Sequence, residues 1–312
     1  MQNFVHKGLE ILVVLIGISI ISFALVYLSP GDPAEVMLTQ CGVTPTEELL
    51  EKTRADLGVD RPFGEQYLTW LGKVVKGDMG ESYSTKVPVV DKLKTSFVPT
   101  LKLALTSLVI MILVSVPLGI LAAIYHDSWL DFLIRAGCFL GNSIPNFWIG
   151  LVFLSIFGVQ LHWVPVAGGQ ANFRTMLLPA ITLAIAMASK YTRQVRLAFL
   201  NEMNQDYVQG ARVRGIEKRD ILFRHILPNV LVPLLTLLGL SLGSLLGGTA
   251  VVEIIYNYPG MGLMAVKAIS AQDFPLIQGY VLWIALLYMV INLLVDLSYS
   301  YLDPRISRET DQ

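Results

Sequence analysis

Residues 11–28 read ILVVLIGISIISFALVYL, eighteen positions without a charge. A helix needs about 20 mainly apolar residues to cross the hydrocarbon core of a bilayer. Inside that core each backbone N–H and C=O must be satisfied within the protein, so a run of this kind forms a spanning helix. Five comparable runs follow, at about 100–125, 132–161, 176–197, 230–254 and 277–302. The expected fold class is therefore all-α, a polytopic membrane protein with six transmembrane helices. Charged residues are 15% of the chain, against about 25% in soluble domains, which agrees with that reading. SPGDPAE follows the first run where a signal peptide would carry a small-residue cleavage site, so an uncleaved first helix is expected. In the third run NSIPNFW intervenes, and Pro145 is expected to kink the helix.

The distribution of Lys and Arg orients these spans. Lys190, Arg193, Arg196, Arg212, Arg214, Lys218, Arg219 and Arg224 cluster between the fourth and fifth runs, Arg305 and Arg308 lie in the tail, and Lys7 precedes the first run. The opposite loops offer Arg174 and Lys267. Both termini are expected in the cytoplasm. The segment 30–99 would then be external despite eight Lys and Arg. It is too long for the rule to bind it, and its eleven Asp and Glu outnumber those bases. The organisation expected is a cytoplasmic N-terminus with the first span (1–29), an external helical segment (30–99), a five-helix core (100–304) containing a cytoplasmic loop at 198–229, and a cytoplasmic tail (305–312). Within the external segment, TPTEELLEKTRADLG carries a candidate N-cap at Thr44 or Thr46 and a stop at Gly58. A second helix is expected from PFGEQYLTWLGKVVKG, with Tyr67, Leu68, Leu71, Val74 and Val75 on its packed face.

Signatures of catalysis are few in this sequence. There is no G-x-x-x-x-G-K-[ST] phosphate cradle and no H-E-x-x-H, and His6, His126, His162 and His225 have no metal-ligand spacing. Cys41 and Cys138 sit in polar and apolar surroundings respectively, which disfavours a disulfide or a shared metal. A net charge of −1 argues against nucleic acid as a partner. No catalytic residue, metal site or cofactor is expected in this chain. Gly239-Leu-Ser241-Leu-Gly243 matches G-x-S-x-G formally, but a nucleophile elbow needs a strand and a turn, and this match is inside an apolar run. Gly239, Gly243 and Gly247 instead recur every fourth residue, a spacing that lets helices approach closely in lipid. Lys102 and Arg135 are near span ends and can snorkel, and Asp296 is near the end of the last run. Candidates for a polar pathway are Glu253, at the outer end of the fifth run, and the amides Asn142 and Asn146 flanking Pro145.

The basic cassette NEMNQDYVQGARVRGIEKRDILFRHILPN (201–229) interrupts this apolar background. It has a helical first half, a central Gly215 and a second helix leading to Leu227-Pro228. Its spacing resembles the cytoplasmic signature of ABC importer permeases, in which E-A-A is followed after three residues by Gly and about ten residues later by I-x-L-P. Ala211, Gly215, Leu227 and Pro228 match strictly; Gln209 and Gly210 replace the first two positions, and His225 stands where the isoleucine would be. LSPGDPA, DMGESY, SIPNFWIG, NQDYVQGAR, EIIYNYPGMG, DFPLIQG and DPRI resemble further pieces of the peptide/nickel-type permease group, in order along the whole chain.

That resemblance implies a non-catalytic subunit of a bacterial or archaeal plasma membrane. Two homologous permeases would form the pathway, two cytosolic ATPases would bind ATP and Mg, and an extracytoplasmic binding protein would deliver substrate. The loop carrying Ala211, Arg212, Arg214, Gly215, Ile216, His225, Leu227 and Pro228 would contact an ATPase as the coupling element. The external segment looks more like nickel-type than dipeptide-type permeases, which implies nickel or a metal chelate as substrate, with di- or oligopeptides as the alternative. A carrier or channel working alone is the competing class; it predicts inverted repeats or mid-membrane charges, and neither is visible.

Overall fold

The computed structural model describes residues 2–166 and 169–302, and those residues are helical apart from turns and one isolated β-bridge between Glu81 and Pro88. Helix α1 (Gln2–Tyr27) holds the first apolar run, α5 (Val89–Ile124) the second, α8 (Phe173–Met203) the fourth and α14 (Phe274–Leu302) the last. Each contains a window long and apolar enough to cross a membrane. The fifth run lies on α11 (Leu227–Gly248), whose 22 residues reach about 33 Å at 1.5 Å per residue.

The third run differs from expectation. It is two helices, α6 (Trp129–Ser143) and α7 (Asn146–Phe153), the second continued by a wide π-helical turn (Leu154–Gln160), and they meet at 94°. A kink of a continuous helix is replaced by a break, either a broken span or a re-entrant loop. The cause is local. Pro145 disfavours helical dihedrals at the preceding residue, Ile144 is extended (φ −89°, ψ 127°), and Pro145 then caps α7. The six-span expectation thus resolves into four long helices, one bent pair and α11.

By contact density the chain forms two compact units, Met1–Thr100 with Pro259–Val290, and Leu101–Tyr258 with Ile291–Gln312. The boundary cuts through α5 and α14. The expected tail at 305–312 lies outside the described residues.

In the first unit the segment 30–99 contains three helices where two were expected: α2 (Pro33–Gln40), α3 (Glu47–Leu57) and α4 (Phe63–Val75). α2 starts on Asp32, whose carboxylate accepts from Ala34 N at 3.0 Å, with Pro33 at the first helical position. α3 follows Thr46 and stops on Gly58 in the left-handed region (φ 69°), as its sequence suggests. On α4 the covered stripe is Phe63, Tyr67, Trp70, Leu71 and Val74, while Leu68 and Val75 are exposed, a correction to the expected face. Phe23 of α1 meets Phe63, Tyr67 and Trp70 with ring centroids 5.3–5.6 Å apart, and Ser19 and Tyr67 share a hydrogen bond of 2.8 Å. The unit's apolar core is Val89, Leu93, Met261, Ala268 and Leu276, contributed by α5, α13 (Met261–Ser270) and α14.

The second unit is organised on α8. Asn172 begins it with a reciprocal cap, accepting from Thr175 N while Asn172 N donates to Thr175 Oγ1. One apolar cluster surrounds Leu178, Leu183, Val252, Tyr256 and Tyr258. Another surrounds Val195, Phe199, Ile221 and Ile226 at the other end of the helix.

Candidate functional site

The basic cassette folds as a short handle. α9 (Asp206–Val213) leads to Arg214 and to Gly215 at φ 76°, then to α10 (Lys218–Asp220), a π-helical turn (Ile221–Ile226) and α11. A side chain at Gly215 would meet no neighbour within 4 Å, so this glycine is required by backbone conformation alone. α9 has two faces. Val208 and Ala211 are buried in the cluster with Val195, Phe199, Ile221 and Ile226. Arg212, Arg214 and Gly215 are exposed, Ile216 and His225 are half-buried, Leu227 packs at the cluster's edge and Pro228 is exposed. Val213, not singled out in the sequence, is 89% exposed. Ala211, by contrast, faces its own chain, so its small size serves packing against α8 and the π-helical turn.

Three polar side chains tie the handle to its supports. Tyr207 Oη donates to Glu202 Oε1 at 2.7 Å, and Asn229 Nδ2 donates to the same Glu202 oxygen at 3.0 Å and to Tyr207 Oη at 3.1 Å. They join the end of α8, the start of α9 and the start of α11. Burial, with the Glu202 carboxylate second, holds the Tyr207 phenol above its ordinary range, which keeps it a donor. His225 Nδ1 lies 3.2 Å from Asp220 O. The NQDY landmark is legible in the sequence, but its role is set by Glu202 and Asn229, five and 22 positions away.

Near the same end of α8, Arg196 Nε and one amino group donate to the two oxygens of Asp131, both at 2.7 Å. Asp131 is fully buried and also accepts from Asp127 N at 3.1 Å, with Arg135 Nε at 3.5 Å. Arg196 and Arg135 therefore do more than set topology or snorkel. They neutralise one carboxylate that joins α6 to α8. The sequence signal for it is an acid three residues after the Ser128 cap and four before Arg135. His126, Asp127 and Asp131 have ligand atoms close together, but Asp131 is already saturated by guanidinium groups.

Landmarks that are distant in sequence prove to be halves of single contacts. Asp273 of DFPLIQG is fully buried and accepts from Tyr83 N at 3.0 Å, Ser84 Oγ at 2.8 Å, Ser84 N at 3.3 Å and the Ser82 hydroxyl, at the end of DMGESY and the residue after it. Burial, with the Asp273 carboxylate adding to it, pushes the Tyr83 phenol up to about 12. Tyr256 of EIIYNY donates to Gly150 O of SIPNFWIG at 3.0 Å and shares a hydrogen bond with Thr182 at 2.9 Å. Thr100 Oγ1 accepts from Met261 N of the YPGMG turn at 2.8 Å.

The pathway candidates separate. Asn142 and Asn146 are exposed on either side of the 94° break, among exposed Phe139, Phe147 and Trp148. Glu253, on α12 (Ala250–Ile255), is fully buried and accepts from Thr249 Oγ1 at 2.9 Å. Of the glycine stripe, a methyl at Gly239 would overlap the Val295 side chain of α14, and Gly243 is buried. The surroundings of Gly247 lie outside the described residues. Gly119 against Val195 and Gly141 against Ser189 are further close approaches, without a four-residue period to announce them.

Known proteins share this architecture. Residues 115–308 match the family model "Binding-protein-dependent transport system inner membrane component", and residues 1–106 match the N-terminal model of the same group of proteins. The glutathione transport system permease protein GsiC of Escherichia coli is 34% identical over 98% of this chain and 99% of its own length. The probable D,D-dipeptide transport system permease protein DdpB of Escherichia coli K12 is also 34% identical, over 96% and 95%. Among solved structures, the inward-facing MetNI methionine ABC transporter aligns with 68% of this chain and 96% of its own at TM-score 0.56 and 17% identity. An amino acid ABC transporter solved with histidines aligns with 74% and 98% at TM-score 0.52 and 16% identity. The structural matches concern the fold alone; the sequence matches set the family. They set aside a carrier or channel working alone and imply, in general terms, a partner permease, an ATPase and a binding protein. The chain belongs to the binding-protein-dependent inner membrane components, as a non-catalytic, multi-pass permease subunit of an ABC importer of the peptide/nickel group.

Proposed function

We propose that this permease carries short peptides and that α9 is the element pushed by an ATPase subunit. The observation that carries the coupling role is the two-faced character of α9. Val208 and Ala211 fix it to the chain's own core, while Val213 projects 89% exposed between exposed Arg212 and Arg214. An apolar side chain bare at the tip of a basic, anchored helix suits a groove on a protein partner better than water. ATP and Mg belong to the ATPases in this reading, and both termini are cytoplasmic, supported by the concentration of Lys and Arg in the cassette and tail. The test is Val213→Asp beside Gly215→Trp in the assembled transporter. Retained ATPase co-purification and unchanged uptake in both variants would sink the coupling role.

For the substrate, GsiC and DdpB are named for glutathione and D,D-dipeptides. Nickel or a metal chelate, favoured by the look of the external segment, gives way to the peptide alternative. The names of these relatives point to peptides, and the four histidines are dispersed. Uptake of a labelled dipeptide, glutathione and nickel by the reconstituted system decides it; nickel uptake alone would overturn the peptide reading. Asn142 and Asn146 are the better pathway candidates, because a second permease can reach an exposed face. Glu253, buried within one chain, is assigned to holding the α11–α12 junction through Thr249.

A further inference from the structure

A cavity in the first unit takes no part in coupling. It is an open cleft bordered by the last turn of α1, by α3 and α4, by the segment 78–83 and by the start of α14, and its volume is about 570 Å³, within the usual range for small-molecule sites of roughly 300–1,000 Å³. Two chemistries line it. Phe23, Tyr27 and Trp70 supply aromatic surface, of the kind enriched where spans leave the hydrocarbon. Asp32, Asp56 and Asp78 balance Arg54, Arg61 and Lys73, three charges of each sign. Arg54 holds Asp32 through Nε and one amino group, both at 2.7 Å, while Arg61 and Lys73 form no ion pair among the described residues.

Gln278 adds a neutral polar group. It is 6% exposed and lines the cavity, where its carboxamide can donate to or accept from an occupant. The charge balance selects a zwitterion over a simple anion or cation. The location selects an amphiphile: α1 and α14 are membrane-spanning helices, and only 17% of the apolar window of α1 is buried by protein, so this wall stands beside hydrocarbon.

We propose that the cavity binds the headgroup of a zwitterionic phospholipid, phosphatidylethanolamine being the simplest. Its phosphate is held by Arg61 and Lys73, its ammonium by Asp56 and Asp78, and an ester or phosphate oxygen by the Gln278 amide. Its acyl chains follow α1 past Phe23 and the exposed Leu25. On the topology proposed above this is a lipid of the outer leaflet, and it would fix the external segment to the first span. The inference is independent of the peptide and coupling readings.

The test uses the complete transporter extracted from membranes in mild detergent, with bound phospholipid quantified by mass spectrometry. Delipidated transporter is then titrated with short-chain phosphatidylethanolamine, phosphatidylglycerol or a dipeptide while thermal unfolding is followed. Expected are retained phosphatidylethanolamine and an upward unfolding shift with that lipid alone. Gln278→Leu and Lys73→Met are expected to weaken the lipid response about tenfold, with the lipid-free unfolding temperature unchanged. Equal retention in wild type and variants, stabilisation by phosphatidylglycerol in place of phosphatidylethanolamine, stabilisation by the dipeptide, or absence of bound phospholipid would each overturn it. The wild-type arms decide the matter even if a variant does not fold.

Discussion

Asp131 and Asp273 are both fully buried carboxylates, satisfied by opposite means. Asp131 is met by a cation, Arg196, in a two-pronged pair that joins two spans, with Arg135 beside it. Asp273 is met by neutral donors from one turn, the hydroxyls of Ser82 and Ser84 and the amides of Tyr83 and Ser84. A cation partner brings specificity of position but is itself left buried when the carboxylate goes. Neutral donors leave smaller debts behind, each no more than an unmade hydrogen bond. The two sites therefore predict different penalties for the same change.

The largest expected effect follows. Asp131→Ala strands the Arg196 guanidinium and should cost about 3–5 kcal/mol of unfolding free energy, measured by denaturation in detergent. The pair Asp131→Leu with Arg196→Met should recover most of that loss. If the double variant is as unstable as the single one, the ion pair is not the source. Asp273→Ala should cost less, on the order of 3 kcal/mol, and should expose the turn at residues 81–86 to proteolysis while Asp273→Asn retains part of the protection. A larger loss at Asp273 than at Asp131 would reverse the ordering argued here.

Two glycines sharpen the contrast between crowding and conformation. Gly239→Val forces the Val295 side chain aside and should cost about 1–3 kcal/mol, read in the same denaturation. Gly215 has open space around it but a left-handed backbone, so Gly215→Ala should cost only about 1–2 kcal/mol. Asn, which tolerates that conformation, should be milder. Equal effects of Ala and Asn would show that something other than backbone conformation holds this position. The smallest effect is expected at the exposed Arg224–Asp220 pair, 3.6 Å apart on the handle. Arg224→Ala should leave unfolding unchanged within error, as solvated pairs usually do.

Much of the fold was legible because lipid allows so few solutions. Apolar runs at 11–28, 100–125, 176–197 and 277–302 became helices. The stop at Gly58, the Asp32-Pro33 start of α2 and the turn at Gly215 are local backbone events that single residues decide. The α2 start was nevertheless missed, since SPGDPAE reads as a breaker before it reads as a cap. The third run shows the limit of a hydropathy reading: the composition is continuous, and the 94° break turns on one proline.

Taken alone, the sequence determined that the chain is a helical membrane protein with one basic handle, and its ordered landmarks pointed to the permease group. Those features rest on hydrophobic periodicity, charge placement and residue-specific dihedrals, all of which act over a few residues. Only the tertiary structure decided that Ala211 faces inward while Val213 faces out, that Tyr256 closes on Gly150, and that the end of DMGESY holds Asp273. These are pairings across roughly 100 to 190 residues. A buried polar group must be satisfied, but nothing local in the chain says by whom.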